Sequence, residues 1–251
     1  NTDKFLSAER LFSWHNALFP TGRSGLYKIE VAKWRTGNMQ VVSGGMGREK
    51  VHFEAPSPEK LEKEMQEFIN WFNHKESLDS IIKAGISHLW FVTIHPFDDG
   101  NGRIARAITD MQLSKSDGVN QRFYSMSSRI NAEKKSYYTV LERTQKGDLD
   151  ITNWLKWFLE CLKGAIVDSN FIIDKVVRKH QFFVNNASKI ANERQRLILT
   201  KLLDGFEGNL TSSKYAKIAK TSPDTALRDI KDLVEKGILV KSDSGGRSTN
   251  Y

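Results

Sequence analysis

A single cysteine, only 5 prolines and no run of about 18 consecutive apolar residues stand in this chain of 251 residues. The lone Cys161 excludes an intrachain disulfide, so a reducing, cytoplasmic setting is the default expectation. It sits in the aromatic helical run WLKWFLECL and is read as a packed core thiol rather than a nucleophile. The missing apolar run excludes a spanning helix, and no membrane partner is expected. The nearest candidate, Leu89–Ile94, is broken by Thr93 and followed at once by His95-Pro96, which suits a buried core helix. Internal repeats and low-complexity tracts are also missing. The chain opens Asn1-Thr2-Asp3, without Met or a signal-peptide pattern, so removal of an upstream part is expected.

What is present is the composition of an ordinary globular protein, 39% hydrophobic and 27% charged, with room for one large domain or a medium and a small one. The net charge of +8 is uneven. Residues 1–160 hold 22 Lys and Arg against 20 Asp and Glu, whereas residues 187–251 hold 12 against 8. An excess of that size in the last quarter permits nucleic-acid contact without requiring it.

Periodicity predicts helices over residues 7–18, from Pro58 onward, 79–94, from near Arg103 to about Lys115, 132–146 and 150–162. Ser57 is expected to cap the second of these. Leu61, Met65, Phe68, Ile69 and Phe72 give that helix one apolar face, while 79–94 is apolar nearly all round and therefore central. Two β-prone runs, MQVV and KVHF, flank the Gly-rich Ser43–Gly47 and predict a hairpin over about 39–54. A connecting helix is expected between the aromatic-rich first region and residues 190–251.

The segment His95-Pro96-Phe97-Asp98-Asp99-Gly100-Asn101-Gly102-Arg103-Ile104-Ala105-Arg106 concentrates the chemistry. A buried helix ends, two glycines shape a tight loop, and a new helix opens with two arginines. Helix N-terminal N–H groups favour an anion, and glycines let a phosphate approach closely. Arg103 and Arg106, three apart, can share one polyphosphate. Asp98 or Asp99 beside phosphates can hold Mg²⁺, and His95 can take a proton at neutral pH.

This segment resembles the signature of the Fic family, His-Pro-Phe-x-Asp/Glu-Gly-Asn-Gly-Arg-x-x-Arg, and matches it at every fixed position. The hairpin followed by APSPEKLEKEM resembles the family's flap and following helix, and Tyr137-Tyr138 and Trp154–Leu159 resemble later family features. The resemblance implies a Mg²⁺-dependent protein adenylyltransferase that moves AMP from ATP to a Ser, Thr or Tyr hydroxyl of a protein target or of itself. It assigns His95 as the base, Asp99 to Mg²⁺, and Gly100, Asn101 and Gly102 to the anion hole. Arg103 falls on the β-phosphate, Arg106 on the γ-phosphate, and Tyr137 or Tyr138 on the adenine side. The hairpin, through Val41 and Val42, is expected to pair with an extended target segment. The inhibitory pattern Ser/Thr-x-x-x-Glu-Gly/Asn of many family members is not found in this chain, so a derepressed form is expected.

Residues 192–251 resemble a winged helix-turn-helix module. Asn192 caps one helix, Thr211 or Ser212 a second, and Thr221-Ser222-Pro223 turns into a third that Gly237 stops. The stretch ILVKSDSGGRSTNY is expected to form a strand, a Gly-Gly turn and a return strand. Thr225, Arg228, Lys231 and Arg247 are the positions for a DNA contact, although Asp224, Asp229 and Asp232 share the same helix, and a protein-binding or homodimer role competes. The expected fold is thus mainly α. A Fic helical core with a β-hairpin flap (1–165) leads through a connecting helix (166–190) to a small winged-helix domain (191–251). Other readings stay open: transfer of a different nucleotide or of phosphate, and a DNA-binding regulator using the Fic fold as a ligand sensor.

Overall fold

A computed structural model describes residues 5–43, 50–75, 77–117, 122–241 and 251. The chain divides into two compact units, residues 1–169 and 170–251. In the first, helix α1 (Ala8–Leu18) starts where the Ser7 hydroxyl accepts from the Arg10 N–H. A minimal hairpin follows, β1 (Arg23–Ser24) with β2 (Tyr27–Lys28), which periodicity did not predict because two-residue strands carry no alternation. The expected larger hairpin forms from β3 (Gln40–Ser43) and β4 (Lys50–Glu54), antiparallel with a register irregularity between Val41 and Val42. Its glycine-rich turn lies outside the described residues.

Helix α2 (Pro58–Asn73) buries Leu61, Met65, Phe68, Ile69 and Phe72, the five residues its spacing put on one face. Ser57 occupies its N-cap, but its hydroxyl makes no cap bond there. The hydroxyl instead interacts with the Glu59 carboxylate, and that contact lowers the acid's pKa after the effect of Glu59's own backbone N–H. Helix α3 (Ser80–Ile94) is capped by Asp79, which accepts from the Ile81 and Ile82 N–H groups. It packs along α4 (Asn101–Asp117) through the centre of the unit. Helix α4 begins two residues before the expected start, because the Gly100 carbonyl already accepts from Arg103 and Ile104 at 3.0 Å.

Beyond it come α5 (Met126–Ala132), which was not foreseen, and α6 (Lys134–Lys146). A break at Glu133 separates them, and the Glu133 N–H caps back to the Arg129 carbonyl. Helix α7 (Thr152–Asn185) replaces both the expected 150–162 helix and the connecting helix, since nothing in the intervening sequence breaks the ladder. Its first part is core: Trp154 is 0% exposed and donates Nε1–H to the Gly85 carbonyl at 2.8 Å. Cys161 lies buried beside it, with burial pushing its thiol up to about 12, as a packed thiol requires.

The second unit holds α8 (Glu193–Gly205), α9 (Ser212–Ala219) and α10 (Pro223–Glu235), capped by Asn192, Thr211 and Ser222. Ile198, Leu210, Tyr215, Ala226 and Ile230 form its core. The expected strand is not formed over residues 238–241, and the rest of the wing, with Arg247, lies outside the described residues. Tyr251 donates its N–H to the Leu210 carbonyl at 3.0 Å. No helix among the described residues is long and apolar enough to cross a membrane.

Trp154 is the largest fully buried side chain of the first unit and bridges α7 to α3. Trp154→Ala is expected to lower unfolding stability by about 3–5 kcal/mol, read from urea denaturation followed by far-UV circular dichroism.

Candidate active site

Helix α3 stops because Pro96 disfavours helical geometry in the residue before it. His95 answers by adopting the left-handed region, φ 52 and ψ 57, which turns its side chain out of the helix direction while leaving it largely covered. Its Nδ1 lies 3.1 Å from the Val92 carbonyl, which can only accept, so the proton sits on Nδ1 and Nε2 keeps the lone pair. Burial lowers the His95 pKa, with a smaller contribution from the Arg35 charge, against opposing effects of the Val92 carbonyl and Asp99. The imidazole is therefore a neutral base at pH 7.

The loop that follows is closed from inside. The Asn101 amide accepts from the Phe97 N–H at 3.0 Å and donates to the Phe97 carbonyl at 2.7 Å, and its side chain is buried. Asn101 thus contributes its position in the helix N-terminus, while its side chain builds the loop. The N–H groups of Asn101 and Gly102, in the first turn of α4, have no intrahelical acceptor and are free for an anion. Gly100 carries φ +84, and a Cβ there would sit 2.9 Å from the Phe19 ring, so this position admits no side chain.

The two aspartates separate. Asp98 accepts from the Glu30 N–H at 2.9 Å and is used in fastening the loop to residues 23–30. Asp99 faces a cavity of about 650 Å³, accepting from the Ser24 hydroxyl and the Gly100 N–H. The same cavity is lined by Val41, Val42, His95, Asn101, Gly102, Arg106, Tyr137 and Tyr138. Arg106 has no ion-pair partner among the described residues. Arg103 differs: it lies over the Phe19 ring at 4.6 Å and 3.7 Å from Asp99, at the edge of the site rather than in its lining. Lys134, Lys135, His52 and Glu142 complete the opposite wall. His52 of β4 contacts Glu142 of α6 at 2.6 Å and so ties the hairpin to that wall. Lys146 first, then His52, holds the Glu142 carboxyl down at about 2.

A single carboxylate beside an anion-binding helix terminus suits Mg²⁺, which binds through one or two carboxylates and substrate phosphates rather than a protein cage. No cluster of three or more His, Cys, Asp or Glu side chains able to cage a metal is found among the described residues.

Three histidine and arginine positions that carry the site had no sequence signal. His15 stacks on Phe97 with centroids 4.2 Å apart; its Nδ1 accepts from the Ala32 N–H, so its Nε2–H donates to the Asp99 carbonyl at 3.1 Å. His88, fully buried, receives the Tyr137 O–H on Nε2 at 2.9 Å and donates Nδ1–H to Thr109, whose own hydroxyl donates to the Ala105 carbonyl. Tyr137 is thereby fixed by a chain of hydrogen bonds, while Tyr138 is half exposed. Arg35 is buried against the loop. Spacing finds none of these, because each acts through one distant backbone or side-chain partner.

In the second unit, Arg228 and Lys231 are exposed on α10 beside Asp224, Leu227 and Glu235. Thr225 is half buried, and its hydroxyl accepts from Ser222 at 2.9 Å.

Residues 5–113 match the model described as the Fic/DOC family. They form a Fic domain. The protein adenylyltransferase Fic of Nematostella vectensis is 34% identical over 113 residues, 44% of this chain and 25% of that protein. A probable protein adenylyltransferase of Aquifex aeolicus is 29% identical over 98 residues, 38% of this chain and 31% of that protein. The match thus spans between a quarter and a third of these relatives' length. The fold is shared with a Fic family protein from Desulfovibrio desulfuricans G20, at TM-score 0.55 and 18% identity over 97% of this chain and 68% of that one. It is also shared with a Fic domain containing signaling protein from Bacteroides thetaiotaomicron, at TM-score 0.53 and 21% identity, covering 67% and 63% of the two chains.

The buried histidines have a measurable consequence. Burial, followed by the Arg106 charge, lowers the His88 pKa to about 3. The unfolded chain binds that proton from about pH 6.5 downward while the folded one does not, so stability is full above that pH and is lost on acidification. The slope is at most about 1.4 kcal/mol per pH unit for this residue. His15 and His95 act in the same direction. The expected result is a Tm of the Fic domain that falls from pH 7 to pH 5, with a shallower slope in a folded His88→Asn variant.

Proposed function

We propose that this chain transfers AMP from ATP to a hydroxyl side chain of a protein, on a separate target or on itself. The observation that carries the reading is the state of His95. Its Nδ1 is committed to the Val92 carbonyl, and the ring lines one cavity with Asp99, Arg106 and the α4 N-terminus. A base alone would serve many reactions. A neutral base beside a guanidinium with no ion-pair partner among the described residues, and beside the first N–H groups of a helix, suits attack by a hydroxyl on a polyphosphate.

In the proposed reaction the hydroxyl oxygen attacks the α-phosphorus as its proton passes to His95 Nε2. The bond from that phosphorus to the bridging oxygen breaks, and pyrophosphate leaves with the electron pair. The Asn101 and Gly102 N–H groups and Arg106 hold the phosphates, and Arg103 is placed to assist from the rim. Mg²⁺ held by Asp99 would neutralise charge on those phosphates. Most of the rate then comes from positioning and charge stabilisation. Tyr137, oriented by His88, and Tyr138 border the space left for the base.

The hairpin supports a protein as acceptor. Among the described residues strand β3 pairs with β4 alone, while His52 ties β4 to α6, which leaves the outer edge of β3 for a further strand. Val42 is 48% exposed there. An extended target segment adding to that edge would be carried along the cavity mouth, since Val41 and Val42 themselves line the cavity. The names of the matched relatives, protein adenylyltransferases, support the same chemistry.

The test is incubation of the chain with Mg²⁺ and ATP labelled on the α- or the γ-phosphate, with lysate as a source of targets. Protein-bound label is expected from the α position only, reduced by roughly 10²–10⁴-fold in His95→Ala. Transfer should stay flat above neutrality and decline only below the ordinary imidazole value of about 6.5, because the base's pKa is lowered. Label from the γ position alone would replace AMP transfer with phosphate transfer. No label from ATP or other nucleotides, in a folded chain, would favour a ligand-sensing role instead.

A further inference from the structure

Arg35 stands outside the motif and is not among the residues lining the cavity, yet it bonds the backbone of His95 and of Pro96. Its side chain is 2% exposed, and its three guanidinium nitrogens donate to main-chain carbonyls of three separate segments. Nε donates to the carbonyl of His95 at 2.8 Å, Nη1 to that of Gly37 at 2.7 Å, and Nη2 to that of Pro56 at 2.5 Å. The Arg35 N–H donates to the Pro96 carbonyl at 2.9 Å. Gly37 precedes β3 and Pro56 follows β4, and the Ala55 N–H bonds the Met39 carbonyl at 2.9 Å, so the last two side-chain contacts hold both feet of the hairpin.

A buried guanidinium is costly unless its donors are matched. Here they are matched by carbonyls rather than by a carboxylate, which is a geometry suited to fixing backbone. The carbonyl taken by Nε belongs to a non-glycine residue in the left-handed region, where the chain is held against its own preference. Without Arg35 that carbonyl is left buried and unpaired, and the peptide carrying the imidazole has lost its stop.

We infer that Arg35 is a positioning residue that ties the base of the flap hairpin to the backbone of His95, so that hairpin and base are placed by one side chain. The transfer arm of the test rests on the proposed AMP-transfer reading, whereas the coupling arm does not. An acceptor added to β3 would then be registered against the imidazole through about one side chain's length of rigid contact. Loss of Arg35 would misplace the acceptor relative to His95 without touching the groups that bind nucleotide.

The experiment compares the parent chain with Arg35→Met and Arg35→Lys. In Arg35→Met the transfer kcat is expected to fall about 30–100-fold, the size of loss that a misplacement of about 1 Å produces. The Kd for a non-hydrolysable ATP analogue with Mg²⁺, read by calorimetry, should stay within about threefold of the parent. Arg35→Lys keeps the charge and one donor group, and should recover part of the kcat; it is the variant to read where Arg35→Met does not fold. Amide hydrogen exchange supplies the second arm. Exchange over residues 40–43 and 50–54 should accelerate by about tenfold in the folded variant, with α9 and α10 unchanged as an internal control. Transfer within about twofold of the parent, nucleotide affinity lost in proportion to kcat, or unaltered hairpin exchange would each overturn the inference. A parent chain without transfer activity, but with exchange accelerated by the substitution, would sink the AMP-transfer reading and leave the coupling standing.

Discussion

Two hydrogen bonds made by one buried amide, Asn101 with the N–H and the carbonyl of Phe97, close the turn between α3 and α4 on which the site is built. The turn must reverse the chain between two helices that pack along each other, in a place where Phe97 is fully buried. Backbone polar groups there have no water to satisfy them. Asn101 solves this by behaving as a short strand partner for a single residue. Once it is in place, Gly100 is forced to positive φ, the first turn of α4 points its N–H groups outward, and Asp99 projects into the cavity.

Around that turn the electrostatics follow one pattern: histidines are buried as neutral rings and arginines are left to carry charge. His15, His88 and His95 each have burial as the main cause of a lowered pKa. Two of them act as struts with fixed tautomers, His15 under the Asp99 carbonyl and His88 behind Tyr137. Of the three, only His95 has a ring nitrogen, Nε2, without a hydrogen-bond partner among the described residues. The charges that face the cavity, Arg106, Lys134 and Lys135, outweigh Asp99 and a Glu142 already engaged by Lys146 and His52. The balance favours a polyanion and leaves one base beside it.

What the sequence made legible was whatever is local. The motif residues sit within twelve positions, so their shared location could be read from spacing alone, and the α2 face from its period of 3.6. The supports were invisible for the opposite reason. His15 reaches Asp99 across 84 positions, His88 reaches Tyr137 across 49, and Arg35 reaches His95 across 60. No periodicity marks such partners, and a lone histidine on an apolar helix face looks like ordinary core. The division of function within the motif was hidden too. Asp98 and Asp99 are adjacent and chemically identical, and only the Glu30 N–H, supplied by a loop with no sequence signature, removes Asp98 from the cavity.

The roles of individual acids in the second unit were hidden in the same way. Counting Asp229 and Asp232 against a basic face treats them as solvent-exposed. Asp229 is 5% exposed and is held by Arg194, Asn192 and Tyr215, all within the unit. Asp232 accepts from Gln195 and Lys236. Both acids are structural fastenings between α8 and α10, engaged within the unit. Their partners Arg194 and Lys236 are used up with them. The outer face reduces to Arg228 and Lys231 set against Asp224 and Glu235, nearly neutral and with Leu227 among them. Among the described residues this face of α10 balances its charges, so the excess of +4 in the chain's last quarter is carried by other positions.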